Sequence, residues 1–174
     1  MIVCPSCGAQ DIHAANGCAQ CGFVPARVDG FLAWAPELAR NNDGFREESF
    51  EGLARVEAGN FWFRARNDIV LWALRKYFPD FQSLLEVGCG TGFVLSGITR
   101  AFPHARTAGS EIYTAGLAFA AKRLPGVELL QMDARRLPYL AEFDVVAAFE
   151  EACVLAVTFN ISIFRYFFAL QALD

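Results

Sequence analysis

At 174 residues, 55% of them hydrophobic and 20% charged, the chain can bury a sizeable core and is poorly suited to global disorder. Fifteen Lys and Arg against nineteen Asp and Glu give a formal net charge of −4 with no long basic run, which argues against nucleic acid as the main partner. Met1 to Pro5 supply neither a basic nor an apolar leader segment, so no signal peptide and a cytoplasmic location are expected.

In that compartment paired cysteines read as metal ligands more readily than as disulfides. Cys4-Pro5-Ser6-Cys7-Gly8 and Cys18-Ala19-Gln20-Cys21-Gly22 are two Cys-x-x-Cys pairs separated by ten residues. Four thiolates at this spacing suit one tetrahedral zinc ion, and the glycine after each pair lets the backbone turn its N–H groups toward sulfur. The segment resembles a short zinc ribbon; a ribbon without metal and a redox pair are the alternatives. Four protein ligands close such a site, so the expected role of Cys4, Cys7, Cys18 and Cys21 is structural or in partner contact. Residues 1–30 form this module, without a sustained helical or strand period. Pro36, Asn41, Asn42 and Gly44 mark residues 31–44 as a linker with short turns. The linker leads into a helix over Phe45–Glu57, which completes a connecting segment at 31–59.

Asn60 caps a second helix whose apolar stripe is read as Ile69, Trp72, Ala73 and Tyr77, with Pro79 as the stop. The pattern then alternates: strand Ser83–Val87, helix Thr91–Phe102, strand Ala105–Ser110, helix Tyr113–Leu124, strand Val127–Met132 and strand Phe143–Phe149. Apolar strands alternating with helices predict an α/β fold with a parallel sheet covered on both faces. His104, just before the second of these strands, is expected at the surface, and Cys89 and Cys153 as buried apolar fillers.

The first strand runs through Gly88-Cys89-Gly90-Thr91-Gly92 into a helix, a turn that brings backbone N–H donors close to a bound ligand. A nicotinamide dinucleotide fingerprint requires Gly or Ala at the next position, where this chain has Phe93, so that reading is disfavoured. Glu86-x-Gly88-x-Gly90-x-Gly92 resembles the first motif of class I S-adenosylmethionine-dependent methyltransferases, of the type 11/12 kind. The likeness continues in Gly109-Ser110-Glu111, Met132-Asp133-Ala134 and Phe143-Asp144-Val145-Val146, over residues 60–150. The run Gly59 to Asn67 also resembles a segment that precedes the core in some bacterial members.

The resemblance implies a partial Rossmann-like sheet and S-adenosylmethionine as cofactor. It places Gly88, Gly90 and Gly92 against the methionine and ribose, Glu86 on the ammonium group, Glu111 on the ribose hydroxyls, and Asp133 with the Ala134 backbone at adenine. Taken singly, Glu111 and Asp133 read equally well as a solvated loop carboxylate or a helix cap. Trp62, Arg66 and Tyr113 are candidate lining residues, with plain core as the alternative. Methyl transfer depends mainly on alignment, and no catalytic residue is assigned.

The family's later strands and acceptor pocket are not recognisable after residue 150, where the chain reads as truncated or divergent. Methyl transfer by this chain alone is therefore expected to be weak. In the tail, 151–174, the alternation of Val157, Phe159, Ile161 and Ile163 with Thr158, Asn160 and Ser162 predicts a strand over 154–164. Its open edge could pair two copies, whereas Asn160, Arg165 and Gln171 weigh against a membrane helix. The methyl acceptor is unknown. The alternative function is an inactive zinc-ribbon and cofactor-binding module acting through a protein partner.

Overall fold

A computed structural model describes residues 1–10, 12–13, 16–40 and 47–149. Four strands make the central sheet: β3 (Ser83–Val87), β4 (Arg106–Glu111), β5 (Glu128–Gln131) and β6 (Val145–Ala147). An N-terminal hairpin, β1 (Ala26–Val28) and β2 (Phe31–Ala33), extends it to six strands in the order β1-β2-β5-β4-β3-β6. All neighbours run parallel except β1 with β2. The helices are α1 (Glu47–Val56), α2 (Phe61–Tyr77), α3 (Phe93–Ala101) and α4 (Thr114–Arg123). Crossing from β3 through α3 to β4, and through α4 to β5, the chain moves outward in one direction. It then returns to place β6 on the other side of β3. This reversal opens a crevice beyond the carboxyl end of β3, where ligands of open α/β sheets bind.

Side-chain alternation along the strands sorts the core into two layers. Leu84 and Val145 face the helices, where they join Val70 and Leu74 of α2, Leu95 and Ile98 of α3, and Leu117 of α4. Leu85, Val87, Ala108, Leu130 and Met132 face the opposite way and pack with Cys4, Ile12, Cys18 and Trp34. The N-terminal module thus covers the face of the sheet that the helices leave. Its first residues pair with the connection into β6: Val3 N–H donates to Pro138 O at 2.8 Å, and Leu140 N–H donates to Met1 O at 3.1 Å.

The strands and helices from Ser83 to Gln131 fall where the sequence places them. Two readings change. Residues 31–33, expected in a linker, form β2 on the edge of β5, with Trp34 and Ala35 buried behind it. Buried Gln131 explains the attachment: its Oε1 accepts from Ala35 N at 3.1 Å, and its Nε2 donates to Ala35 O and Ile112 O, each at 2.9 Å. The second change is the buried face of α2, which carries Asn67, Val70, Ala73 and Leu74, while Ile69, Trp72 and Tyr77 are about half exposed. Asn67 lies so close to Gly97 that any Cβ there would stand 2.4 Å from the amide. This contact turns the larger rings outward, where Trp72 and Tyr77 meet edge to face at 6.1 Å.

His104 is exposed and Cys89 is buried in the helical core, both as expected. Among the described residues no helix is long and apolar enough to cross a membrane. The strand expected over 154–164, the open edge it would offer a second copy, and Cys153 lie outside the described residues.

Candidate functional site

At the crevice the backbone leaves β3 through the glycine turn and enters α3. Gly92 caps that helix with φ +72°, and a Cβ there would stand 2.9 Å from Leu124 Cδ1 and 3.2 Å from Ala120 Cα. Only glycine meets both the left-handed backbone and the close approach of α4. Phe93 follows, edge to face with Phe63 at 6.2 Å and beneath the Arg123 guanidinium at 5.2 Å. A bulky first residue of α3 is therefore built into the packing of α2 and α4, in contrast to the small residue of a dinucleotide fold.

Glu86, Gly88, Gly90 and Glu111, four of the expected cofactor residues, line one cleft together with Arg66 and Tyr113. Glu86 and Glu111 are only 3% and 8% exposed, so two carboxylates are held in a confined space. Glu111, at the tip of β4, reaches back across the turn. Its Oε2 accepts from Gly90 N–H at 3.0 Å, and its Oε1 accepts from Ile112 and Tyr113 N–H at 2.8 and 3.2 Å. Backbone donors thereby fix the carboxylate orientation at the strand end. Arg66 enters from α2 with its guanidinium over the Trp62 ring at 4.8 Å and the Phe63 ring at 5.3 Å. Trp62 itself is more than half exposed and does not line the cleft.

Gly92, Asp133 and Ala134 stand outside that lining. Asp133 caps the short 3-10 turn at 134–136 and is held by Arg135, whose Nε and Nη2 each approach a carboxylate oxygen at 2.9 Å. Burial opposes ionisation of Asp133, but the Arg135 guanidinium and backbone N–H outweigh it and lower its pKa. The cap reading of this residue is therefore realised.

The cleft also contains residues that motif reasoning misses. Phe50, Leu53 and Glu57 of the α1 segment roof it. The Phe50 ring is 4% exposed and sits 2.8 Å from where a Cβ on Gly116 would be. Buried Glu57 accepts from Thr91 Oγ1 at 2.5 Å and from Arg123 Nη1 at 2.8 Å, which latches the end of α1 to the glycine turn and α4. A carboxylate in the last turn of an amphipathic helix looks solvated in sequence, and nothing in its spacing signals the latch. Under this roof the cleft encloses about 60 Å³. Small-molecule sites typically enclose about 300 Å³ or more, so the space left under α1 is small on that scale. A larger groove of about 750 Å³ runs along α3 between Arg64 and Arg100, but it contains none of the carboxylates or turn glycines at the strand ends.

The four thiols converge in a second cluster, with all Sγ atoms within 4.8 Å of one another. Cys4 and Cys21 approach to 3.6 Å, as do Cys7 and Cys18. A tetrahedral site with Zn–S bonds of about 2.3 Å has sulfur–sulfur edges of about 3.8 Å, so the cluster fits that ion. The two knuckles repeat one another in detail. Gly8 N–H donates to Cys4 O at 2.9 Å and Gly22 N–H to Cys18 O at 2.8 Å, both glycines having φ +76°. Cys4 N–H donates to Ala9 O and Cys18 N–H to Phe23 O. His13 bridges to Gly17 and is not part of the cluster.

Comparison with known proteins agrees with this architecture. Residues 84–167 match a family described as methyltransferase domain. The match reaches past residue 150, beyond the end of the motif resemblance. The chain is 43% identical over 72 residues to the phthiotriol/phenolphthiotriol dimycocerosates methyltransferase of Mycobacterium leprae, covering 40% of this chain and 27% of that protein. It is 39% identical over 75 residues to the dTDP-3-amino-3,4,6-trideoxy-alpha-D-glucopyranose N,N-dimethyltransferase of Streptomyces venezuelae, covering 43% and 31%. The chain thus spans about a third of the length of the curated relatives it matches. Among solved structures, the sugar N-methyltransferase KedS8 from a Streptoalloteichus species is similar with a TM-score of 0.51 and 28% identity, over 63% of this chain and 42% of that one. Residues 84–167 are thus similar to the methyltransferase domain family, and the described sheet has the Rossmann-like fold of the class I methyltransferase type.

Proposed function

We propose that this chain forms the cofactor-binding part of an S-adenosylmethionine-dependent methyltransferase that acts on a small molecule. The observation that carries this reading is the placement of Glu111 at the end of β4, facing the glycine turn across the cleft that also holds Glu86. Glu111 would accept both ribose hydroxyls, which replace the Gly90 N–H as partners. Glu86 would hold the ammonium group, and Arg66, on the same lining, the carboxylate of the methionine part, each by a charge-assisted hydrogen bond. Asp133 would take the adenine amine after loosening its hold on Arg135, with the Ala134 backbone beside the ring. Bound there, the cofactor supplies an electrophilic methyl group. The residues of this chain align it and exclude water, and alignment accounts for most of what such a transfer requires.

A small-molecule acceptor is supported by the net charge of −4 and by the relatives, whose names give phthiotriol/phenolphthiotriol dimycocerosates and a dTDP-linked amino sugar. In the N-terminal module Cys4, Cys7, Cys18 and Cys21 would hold one zinc ion as a closed structural site. The functional reading is tested by titrating S-adenosylhomocysteine and NAD separately into the full chain. Binding of the first and not the second is expected, and NAD binding alone would overturn it.

A further inference from the structure

The cysteine module is built into the core of the cofactor domain, and its attachments lead to the cofactor cleft. Cys4 and Cys18 are 2% and 3% exposed and pack in one cluster with Leu85 and Val87 of β3, Ala108 of β4, and Leu130 and Met132 at β5. On these strands Glu86 lies between Leu85 and Val87, and Asp133 directly follows Met132. Ile2 bridges to Tyr139, and Val3 N–H donates to Pro138 O, so the segment that leads into Cys4 is tied to the chain just after the Asp133 turn. A second path runs through Gln131, which ties Ala35 behind the hairpin to Ile112, the neighbour of Glu111.

We infer that zinc occupancy of the cysteine cluster and occupancy of the cofactor cleft are thermodynamically linked, the ribbon serving as the second layer of the cofactor sheet. The inference rests on the proposed zinc and S-adenosylmethionine readings and concerns how one controls the other. A module this small has little core without its metal, so the free energy of metal binding is folding free energy. Losing the ion releases Cys4 and Cys18 from the shared cluster and exposes Leu85, Val87, Leu130 and Met132 to water. The carboxylates between and beside those side chains then lose the rigid strand ends that orient them. The linkage is reciprocal: whatever factor zinc contributes to cofactor affinity, the cofactor contributes to zinc affinity.

The test uses the full chain, first zinc-loaded and then stripped by a chelator, with metal content measured on each sample. Titration with S-adenosylhomocysteine is expected to give an affinity at least about tenfold weaker after stripping, equivalent to about 1.4 kcal/mol. Competition for zinc against a chromophoric chelator should show tighter retention by a similar factor when S-adenosylhomocysteine is saturating. Because stripping could unfold the whole chain, Tyr139→Ala provides a second arm: the Tyr139 ring packs against the cluster that includes Cys4 and Cys18, so its loss loosens the seam and leaves all four cysteines in place. This variant is expected to keep one zinc per chain while the chelator competition loses most of its dependence on S-adenosylhomocysteine. Equal S-adenosylhomocysteine affinity with and without bound zinc would overturn the linkage. Failure of the underlying readings looks different: a chain that never takes up zinc, or a zinc-loaded chain that does not bind S-adenosylhomocysteine, removes the premise and with it the inference.

Discussion

The two faces of the sheet are covered by different means. On one face α2, α3 and α4 bury an ordinary aliphatic core, with Leu84, Leu95, Ile98 and Leu117 fully inaccessible. On the other face a module with four converging thiols presses Cys4, Cys18, Ile12 and Trp34 against Leu85, Leu130 and Met132. The first cover is held mainly by hydrophobic burial, in many small increments, with a few polar ties such as the 2.9 Å bond between Thr99 and Thr107. The second covers a similar strand length with few apolar side chains of its own. Its stability is expected to reside largely in one metal site, and it should fail all at once where the helical cover fails gradually.

Removing a ligand from the ribbon face should have the largest effect. Cys18→Ser is expected to abolish stoichiometric zinc, with a loss of several kcal/mol, since structural zinc sites supply about 10–16 kcal/mol of apparent binding energy. Elemental analysis with thermal denaturation checks it, and an unchanged melting temperature would show that the ribbon is a dispensable appendage. On the helical face Leu117→Ala should cost about 2–5 kcal/mol by leaving a cavity, while zinc content stays the same. Denaturant midpoints of the two variants, set beside their metal contents, place the two covers on one scale.

A smaller effect is expected where the helical cover meets the cleft. Gly92→Ala forces a side chain into a left-handed backbone position and against Leu124 and Ala120, with an expected loss of about 1–3 kcal/mol and weaker S-adenosylhomocysteine binding. Wild-type stability with wild-type affinity in that variant would mean that α3 and α4 adjust more freely than their packing implies.

The smallest effect concerns the seam between β3 and β6, which belongs to neither face. Asp144 accepts from Gln82 N–H at 2.7 Å and from Ser83 N–H at 2.9 Å, and the Gln82 bond is the leading cause of its lowered pKa. A depressed folded-state pKa contributes stability above the unfolded value of about 3.9, and this is lost as pH falls through the folded value. The group is exposed, so the contribution is at most about 1 kcal/mol. Asp144→Asn should therefore be slightly less stable at neutral pH and lose less on acidification to about pH 3. Parallel acid titrations of the two proteins would contradict this.

How legible each region was follows from what held it. The span Ser83–Gln131 could be read because the glycine turn at 88–92 separates the first strand from its helix, and Pro103 and Pro125-Gly126 close the two helices ahead of the strands that follow. The cysteine spacing likewise announced its cluster. The hairpin was not visible: Ala26–Val28 and Phe31–Ala33 are three residues each, too short to show a period, and their partner β5 lies about a hundred positions further on. The sequence reading of α2 places Ala73 correctly on the buried face but joins it to Ile69, Trp72 and Tyr77, whereas the buried face joins it to Asn67, Val70 and Leu74. What decided the face was the fit of Asn67 against Gly97, a contact between two residues with no apolar signal. In the cleft the motif carboxylates were found and the α1 roof was not, since Phe50 and Glu57 acquire their meaning only from Gly116, Thr91 and Arg123 in space.

Calorimetric titration of the zinc-loaded full chain with S-adenosylhomocysteine tests most directly whether the cleft between the glycine turn and Glu111 binds S-adenosylmethionine. One site per chain is expected, with affinity reduced in Glu111→Ala by about 1–3 kcal/mol, the scale for hydrogen bonds to a charged group. Absence of binding by the folded, zinc-loaded chain, or identical affinity in Glu111→Ala, would contradict it.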